Sequence, residues 1–162
     1  MNVFLVGPMG SGKSAVGRQL AQRLDLDFID SDAEIEARTG VDIAYIFERE
    51  GEAGFRSREA EVIDAISRRD RVLVSTGGGA VLDAGTRERL RTRGRVVYLR
   101  TSVDQQLART RRSNDRPLLN NDDPRGTLER LFEQRAPLYT EVAEIVVDTD
   151  GRKVKAVVDQ IC

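Results

Sequence analysis

The sequence predicts an α/β fold in which helices cover both faces of a central parallel sheet of five strands. The first observation is that short β-branched runs alternate with longer segments whose apolar residues recur at helical spacing. The second is a glycine-rich turn that directly follows the first run. The candidate strands are VFLV at 3–6, DFID at 27–30, RVLVST at 71–76, RVVYLR at 95–100 and EIVVD at 144–148. This βαβ alternation implies a three-layer α/β/α domain.

The starts of two helices are indicated by residues that can cap free backbone N–H groups. Ser31, followed by Glu34, fits a capping box for the helix after the second strand. Ser102 and Asp104 are alternative caps for the helix that leads to Arg109.

The chain length of 162 residues, with 40% hydrophobic content, predicts a single domain over 1–162. Two segments interrupt the strand and helix rhythm, and both follow a strand on the side where open α/β sheets bind ligands. The first is a helical insertion over about 32–69. The second, 109–126, is rich in Arg, Asn, Asp and Pro and poor in apolar residues, so it can bury little surface. We interpret it as a mobile lid, with a plain surface loop as the alternative.

The charge balance gives no indication of a general nucleic-acid or membrane-surface binder. Lys plus Arg number 26 and Asp plus Glu number 27, which gives a formal net charge of −1. We therefore expect no partnership with nucleic acid or a membrane surface, and any anion site must be local. No apolar run approaches the roughly 20 residues that span a bilayer, and the chain opens without a basic leader. A soluble cytoplasmic protein is expected, with a monomer as the default.

The absence of histidine limits the chemistry that the protein can perform. It excludes Ser-His-Asp and Cys-His nucleophile systems, histidine general bases and histidine metal ligands. The single cysteine, Cys162, excludes an internal disulfide and a cysteine cluster for zinc. The catalytic groups must therefore be carboxylates, Lys, Arg, backbone amides or a bound ion.

The glycine-rich turn, GPMGSGKS at 7–14, fits the phosphate-binding motif G-x-x-x-x-G-K-[ST] and lies between a predicted strand and a predicted helix. Glycines let successive backbone N–H groups surround a phosphate, and the following helix adds its positive N-terminal end. Lys13 would reach the outer phosphates of a nucleoside triphosphate, and Ser14 would offer its hydroxyl to Mg²⁺. The candidate nucleotide contacts here are Gly10, Ser11, Gly12, Lys13, Ser14 and Ala15.

Acidic residues after the second strand narrow the class of nucleotide-binding protein. The central strand ends in Ser75 and Thr76, where ATPase motors and GTPase switches usually carry an acid. Asp30 and Asp32 lie beside the phosphate loop in a βαβ unit, so one carboxylate could hold Mg²⁺ while the other faces an acceptor hydroxyl. A helix cap with a spare surface acid is the alternative. Asp148 is a lower-ranked metal candidate, and no N-K-x-D guanine-binding motif occurs.

Six short motifs occur in order along nearly the whole chain. They are GPMGSGKS at 7–14, FIDSD at 28–32, GEAGFRSRE at 51–59, STGGGA at 75–80, RPLL at 116–119 and RAPLY at 135–139. Together they resemble shikimate kinase. The resemblance implies a P-loop kinase of the nucleoside monophosphate kinase type that transfers a phosphoryl group from MgATP to the 3-hydroxyl of shikimate, in aromatic amino-acid synthesis. It also implies that 32–69 forms the shikimate-binding subdomain and that 109–126 closes as a lid.

The resemblance assigns the acceptor site. Asp32 would contact the acceptor hydroxyls and act as base, and Arg56 and Arg135 would bind the shikimate carboxylate. The glycine run, Gly77, Gly78 and Gly79, would contact the substrate, with backbone amides from the last two. Arginine suits this role because it pairs with a carboxylate through two parallel hydrogen bonds.

The resemblance also assigns the nucleotide side. Arg116 in the predicted lid would reach the transferring phosphate, and Arg109 would flank the adenine. Arg152, in the loop after the last strand, is a weaker candidate for the adenine, since a solvated arginine beside a helix start is the alternative. Ser14, Asp30 and Asp32 form the candidate Mg²⁺ site.

Other interpretations of these residues stay open at the sequence level. Arg56 could be an exposed helix residue paired with Glu59, Arg135 a surface residue, and the triple glycine a tight turn. A gluconate kinase on the same scaffold is the nearest alternative function. A non-catalytic ATP-binding sensor is the alternative from another class, although it would not need the acceptor-site residues.

Overall fold

A computed structural model describes residues 1–110 and 123–162, except for the side chain of Thr110. The predicted sheet of five parallel strands is confirmed, with the order β2-β3-β1-β4-β5. The strands are β1 (Val3–Val6), β2 (Asp27–Asp30), β3 (Val72–Ser75), β4 (Arg95–Arg100) and β5 (Ile145–Asp148). Each lies within a run that the sequence marked as β-branched.

Helices pack on both faces of the sheet, which confirms the three layers. They are α1 (Lys13–Leu24), α2 (Ser31–Thr39), α3 (Ile43–Ser67), α4 (Ala84–Arg93), α5 (Val103–Thr110), α6 (Pro124–Val142) and α7 (Val154–Ile161). Side chains of a strand alternate between its two faces. Phe4 and Val6 of β1 accordingly enter a core shared with α3, α4 and α6, whereas Val3 and Leu5 enter a second core shared with α1 and α7.

The predicted helical insertion consists of α2 and α3, and α3 changes direction at Gly51. This residue has φ 74° and ψ −179° inside an otherwise helical segment. A Cβ built there would meet no atom within 4 Å, so the backbone conformation and not space favours glycine. Rings of Phe47 and Phe55, 4.9 Å apart, join the two halves across the bend.

The two predicted helix caps have different outcomes. The capping box at Ser31 is wrong because α2 begins one residue earlier than the motif requires. Asp30 is the N-cap and accepts hydrogen bonds from the backbone N–H groups of Asp32 and Ala33 at 2.9 and 3.2 Å. At α5, the Ser102 hydroxyl accepts a hydrogen bond from the N–H of Gln105 at 3.2 Å, which favours Ser102 over Asp104 as the cap.

The segment predicted as a lid falls partly outside the described residues. Arg109 and Thr110 end α5, Asp123 caps α6 through the N–H of Gly126, and 124–126 begin that helix. Residues 111–122, including Arg116, lie outside the described part, so the lid stays a prediction. Within the described part, no helix is both long and apolar enough to cross a membrane.

Candidate active site

Three chain segments with functional residues meet at one edge of the sheet. Because β1, β2 and β3 are parallel and adjacent, their carboxyl ends lie together. The phosphate loop follows β1, Asp30 ends β2, and the glycine run 77–79 follows β3. The sheet topology alone thus brings the predicted nucleotide and acceptor residues to one crevice.

The phosphate loop has the backbone that an anion site requires. Gly10 and Gly12 have positive φ angles of 78° and 85°, which side chains disfavour. A Cβ on Gly7 would lie 2.6 Å from the carbonyl oxygen of Leu99, so this position also requires glycine.

The lysine of the motif lies at the start of the helix that follows the loop. Helix α1 begins at Lys13, whose Nζ donates hydrogen bonds to the carbonyls of Gly7 and Pro8 at 2.7 and 2.8 Å. Its charge therefore lies at the loop, and its contact with the outer phosphates stays a prediction.

Arg109 and Arg152 occupy different surroundings. The Nη1 of Arg109 donates to the carbonyl oxygen of Gly10 at 3.1 Å, and it would lie 2.8 Å from a Cβ on Gly12. The structure therefore brings Arg109 to the phosphate loop. The guanidinium of Arg152 donates to the carbonyl oxygens of Asp148 at 3.0 Å and Ala156 at 3.1 Å, which holds it against α7.

One carboxylate joins the phosphate loop to the acceptor side. The Oδ2 of Asp30 accepts a hydrogen bond from the Ser14 hydroxyl at 2.9 Å, while its Oδ1 caps α2. The cap and the predicted metal role are therefore compatible on one side chain. Hydroxyl and carboxylate oxygens are ligands that Mg²⁺ prefers, so the residues present fit that ion. Among the described residues, no group of three or more His, Cys, Asp or Glu side chains could hold a metal by itself.

Two carboxyl groups flank Gly77. A Cβ on Gly77 would lie 2.7 Å from Oε2 of Glu59 and 2.8 Å from Oδ1 of Asp32, so a side chain there would displace these carboxyl groups. The N–H of Gly77 donates to the buried Ser31 hydroxyl at 3.1 Å, which fixes the turn. That bond also explains why Ser31 does not cap its own helix.

Glu59 is the site residue that sequence reasoning missed as a functional group. It is 2% exposed, and burial raises the pKa of its carboxyl to about 7 although Arg56 opposes the shift. Its Oε2 has no hydrogen-bond partner among the described residues. The signal was the last position of the motif at 51–59, which the sequence analysis treated only as a partner for Arg56.

Arg56 lies against the glycine run. Its Nη1 donates to Oε1 of Glu59 at 2.8 Å, and its Nε lies 3.5 Å from Oε2 of Glu52. A Cβ on Gly79 would overlap with the guanidinium of Arg56. The expected pairing with Glu59 is present, but the alternative of an exposed helix residue is wrong, because the pair is largely buried and lies in the crevice.

Arg135 approaches the glycine run from α6. It is only 3% exposed, which excludes the alternative of a surface residue. Burial lowers the pKa of its guanidinium, and its Nε has no hydrogen-bond partner within the described ranges. Its Nη1 would lie 3.6 Å from a Cβ on Gly78. A buried cation of this kind, with donor capacity left over, suits an anionic ligand.

The glycine run also presents unused backbone donors. In the part of the chain that the structure describes, the N–H groups of Gly78 and Gly79 form no hydrogen bond. Arg135 of α6 lies near Gly78, Arg56 of α3 lies against Gly79, and the carboxyl of Asp32 adjoins Gly77. The crevice can therefore bind a small molecule that carries both a carboxylate and hydroxyl groups, next to a phosphate cradle.

This fold and this site define a P-loop kinase that phosphorylates a small acceptor molecule. A family model described as shikimate kinase matches residues 9–162. The chain belongs to the shikimate kinase family, whose reaction is the transfer of phosphate from ATP to shikimate.

Individual relatives match over nearly the whole chain. The shikimate kinase of Halorhodospira halophila is 58% identical over 159 residues, which cover 98% of this chain and 90% of that protein. The shikimate kinase of Shewanella frigidimarina is 57% identical, with 99% and 94% covered. The solved structure of shikimate kinase from Acinetobacter baumannii in complex with shikimate has a TM-score of 0.97 at 48% identity and covers 99% of this chain and 89% of that one.

Proposed function

We propose that this enzyme transfers the terminal phosphate of ATP to the 3-hydroxyl of shikimate, with Mg²⁺ bound beside the phosphates. The observation that carries the proposal is the convergence of Arg56 and Arg135 on the glycine run, with Asp32 at its start and the phosphate loop beside it. The relative from Acinetobacter baumannii, whose solved structure holds shikimate, supports this choice of acceptor.

The acceptor site matches the chemistry of shikimate, a cyclic acid with three hydroxyl groups. Arg56 and Arg135 would bind the carboxylate, because guanidinium groups pair with it through parallel hydrogen bonds. The free N–H groups of Gly78 and Gly79 would add donors to the same end of the molecule. The carboxyl of Asp32 would accept hydrogen bonds from the hydroxyls and take the proton of the attacking one.

The nucleotide side supplies alignment and positive charge. The backbone N–H groups of the phosphate loop and the N-terminus of α1 would hold the phosphates, and Lys13 would contact the outer ones. Arg109 lies above the loop and would flank the nucleotide. Arg116 would reach the transferring phosphate from the predicted lid. Arg152 stays a weaker candidate for the adenine, since its hydrogen bonds hold it on α7.

Mg²⁺ would be held by Ser14 and Asp30, with Asp32 nearby and the nucleotide as a further source of oxygen ligands. When bound, the ion would neutralise charge on the phosphates. The hydroxyl of Ser14 and the carboxylate of Asp30, already 2.9 Å apart, would supply the protein's share of the oxygen ligands.

The proposal includes a cytoplasmic monomer that acts on a small molecule and binds neither nucleic acid nor membranes. The near-zero net charge and the complete α/β/α core of one chain support it. Light scattering at micromolar concentration should give the mass of one chain, 18.1 kDa. A concentration-independent dimer mass would contradict the monomer.

The direct test follows ADP formation from MgATP alone and then with shikimate, gluconate or nucleoside monophosphates. We expect stimulation by shikimate only, and no stimulation in a Lys13→Ala blank. Stimulation by gluconate and not by shikimate would overturn the proposed acceptor, and ATP binding without any transfer would favour the sensor.

A further inference from the structure

We infer that Tyr139 is a positioning residue for shikimate, because its hydroxyl fixes the peptide unit that presents the N–H of Gly79 to the substrate. This inference rests on the proposed function. Tyr139 lies in α6, one helical turn after Arg135, and its hydroxyl donates a hydrogen bond to the carbonyl oxygen of Gly78.

The hydroxyl acts on the substrate amide through the geometry of one peptide. The peptide between Gly78 and Gly79 is trans, like every described peptide in the chain. In a planar trans peptide the C=O and the N–H point in opposite directions. Holding the Gly78 carbonyl toward Tyr139 therefore turns the Gly79 N–H away from α6. Gly79 itself lies against the guanidinium of Arg56, so this N–H belongs to the proposed carboxylate site.

Glycine makes such an anchor necessary. A run of three glycines has the widest choice of backbone conformations of any tripeptide, so Gly78 would otherwise sample several peptide orientations. The run is held at its start by the Ser31 hydroxyl and at its far end by the turn in which the N–H of Leu82 donates to the carbonyl of Gly79. The N–H of Ala80 also donates to the carbonyl of Gly77 at 3.0 Å and closes a turn around Gly78 and Gly79. Such a turn still allows its central peptide to flip, and the bond from Tyr139 restrains that peptide.

The anchor itself is rigid and keeps its proton. Tyr139 is 2% exposed, and its ring packs on that of Tyr98 with centroids 4.9 Å apart. Burial, opposed by the nearby Arg135, raises the pKa of the Tyr139 hydroxyl far above its ordinary value. The hydroxyl therefore remains a donor across the range in which enzymes work.

The test uses Tyr139→Phe, with Tyr98→Phe as a matched control. Both variants remove one hydroxyl from the same stacked pair of buried rings, but only the first removes the bond to Gly78. We expect Tyr139→Phe to raise the KM for shikimate about 10-fold, the scale of one lost hydrogen bond with its acceptor left buried. The KM for ATP and the kcat should change less than about 3-fold. Tyr98→Phe should leave the KM for shikimate unchanged.

A second readout separates positioning from general destabilisation. In ¹⁵N-resolved NMR of the folded variants, the amide signals of Gly78 and Gly79 should shift and exchange faster in Tyr139→Phe than in Tyr98→Phe. An unchanged KM for shikimate in Tyr139→Phe would overturn the inference, as would equal effects of the two substitutions. If the unsubstituted enzyme phosphorylates another acceptor instead, the proposed function fails, and the amide signals still report on the anchor.

Discussion

At the scale of single residues, the glycine run leaves room for charged side chains in the site. Gly77 leaves room for Asp32 and Glu59, and Gly79 leaves room for Arg56. Alanine at either position would force charged groups apart. The same absence of side chains exposes the backbone N–H groups, so a substrate can contact main chain and side chains together.

At the residue scale, Lys13 should matter more than Asp32 for the rate. Phosphoryl transfer through a loose transition state depends mainly on alignment and charge neutralisation. We expect Lys13→Ala to lower kcat by about 1000-fold and Asp32→Asn by about 100-fold. Steady-state kinetics with saturating substrates measures both, and Lys155→Ala on α7 is the control for loss of a lysine. A larger loss in Asp32→Asn would contradict the order.

The carboxyl of Glu59 should make stability depend on pH. Burial raises its pKa from 4.5 to about 7, so the folded protein binds this proton more tightly than the unfolded chain does. The contribution of this proton to the free energy of unfolding is therefore fully present below pH 4.5. It is lost as the pH rises to about 7. Relative to Glu59→Gln, the free energy of unfolding should fall by up to about 3 kcal/mol over that range.

Urea unfolding of both proteins at pH 5 and pH 8 checks this prediction. Groups distant from Glu59 titrate alike in the two proteins, so the difference between them reports on Glu59 together with the charged groups that it contacts. A difference that stays constant with pH would mean that Glu59 is charged throughout.

At the scale of elements, helix propensity alone would give the wrong sign for a substitution at the bend in α3. Gly→Ala in a straight, exposed helix stabilises it by about 0.5–1 kcal/mol. Gly51 has φ 74° and ψ −179°, a conformation that essentially only glycine adopts, so Gly51→Ala should instead destabilise the protein by about 1–3 kcal/mol. Thermal unfolding measures the sign, with Ala53→Gly in the same helix as a comparison that should also destabilise. A stabilising Gly51→Ala would show that α3 can straighten.

Elements could be predicted from the sequence where the local pattern decides their structure. The strands follow β-branched runs, and the phosphate loop follows a fixed motif between a strand and a helix. The cap of α2 could not be predicted from local sequence. The Ser31 hydroxyl accepts a hydrogen bond from the N–H of Gly77, 46 residues away, and not from the N–H groups of its own helix. Burial of Glu59 and Arg135 likewise depends on how α3 and α6 pack over the sheet, which no local pattern encodes.

At the scale of the whole molecule, the parallel sheet brings the proposed nucleotide and acceptor sites together. The ends of β1, β2 and β3 supply the phosphate loop, Asp30 and the glycine run, while α3 and α6 add arginines from outside the sheet. Asp30 spans the boundary between the nucleotide and acceptor sides through its two oxygens.

Closure of the predicted lid over 109–126 should make ATP hydrolysis depend on the acceptor. If Arg116 reaches the phosphates only when the lid closes, and closure excludes water, ADP formation without shikimate should be about a hundredfold slower than with it. A coupled assay for ADP measures both rates on one sample. An acceptor-independent rate close to the kinase rate would contradict gating by this segment.

The central claim is that guanidinium groups from two helices bind the carboxylate of shikimate beside the glycine run. Calorimetric titration of shikimate into the unsubstituted enzyme and into Arg135→Lys, each with ADP present, tests it most directly. We predict clear binding to the unsubstituted enzyme and affinity at least about 10-fold weaker in the variant, because an ammonium cannot replace the paired hydrogen bonds of arginine. Equal affinities, with nucleotide binding intact in both proteins, would contradict the account.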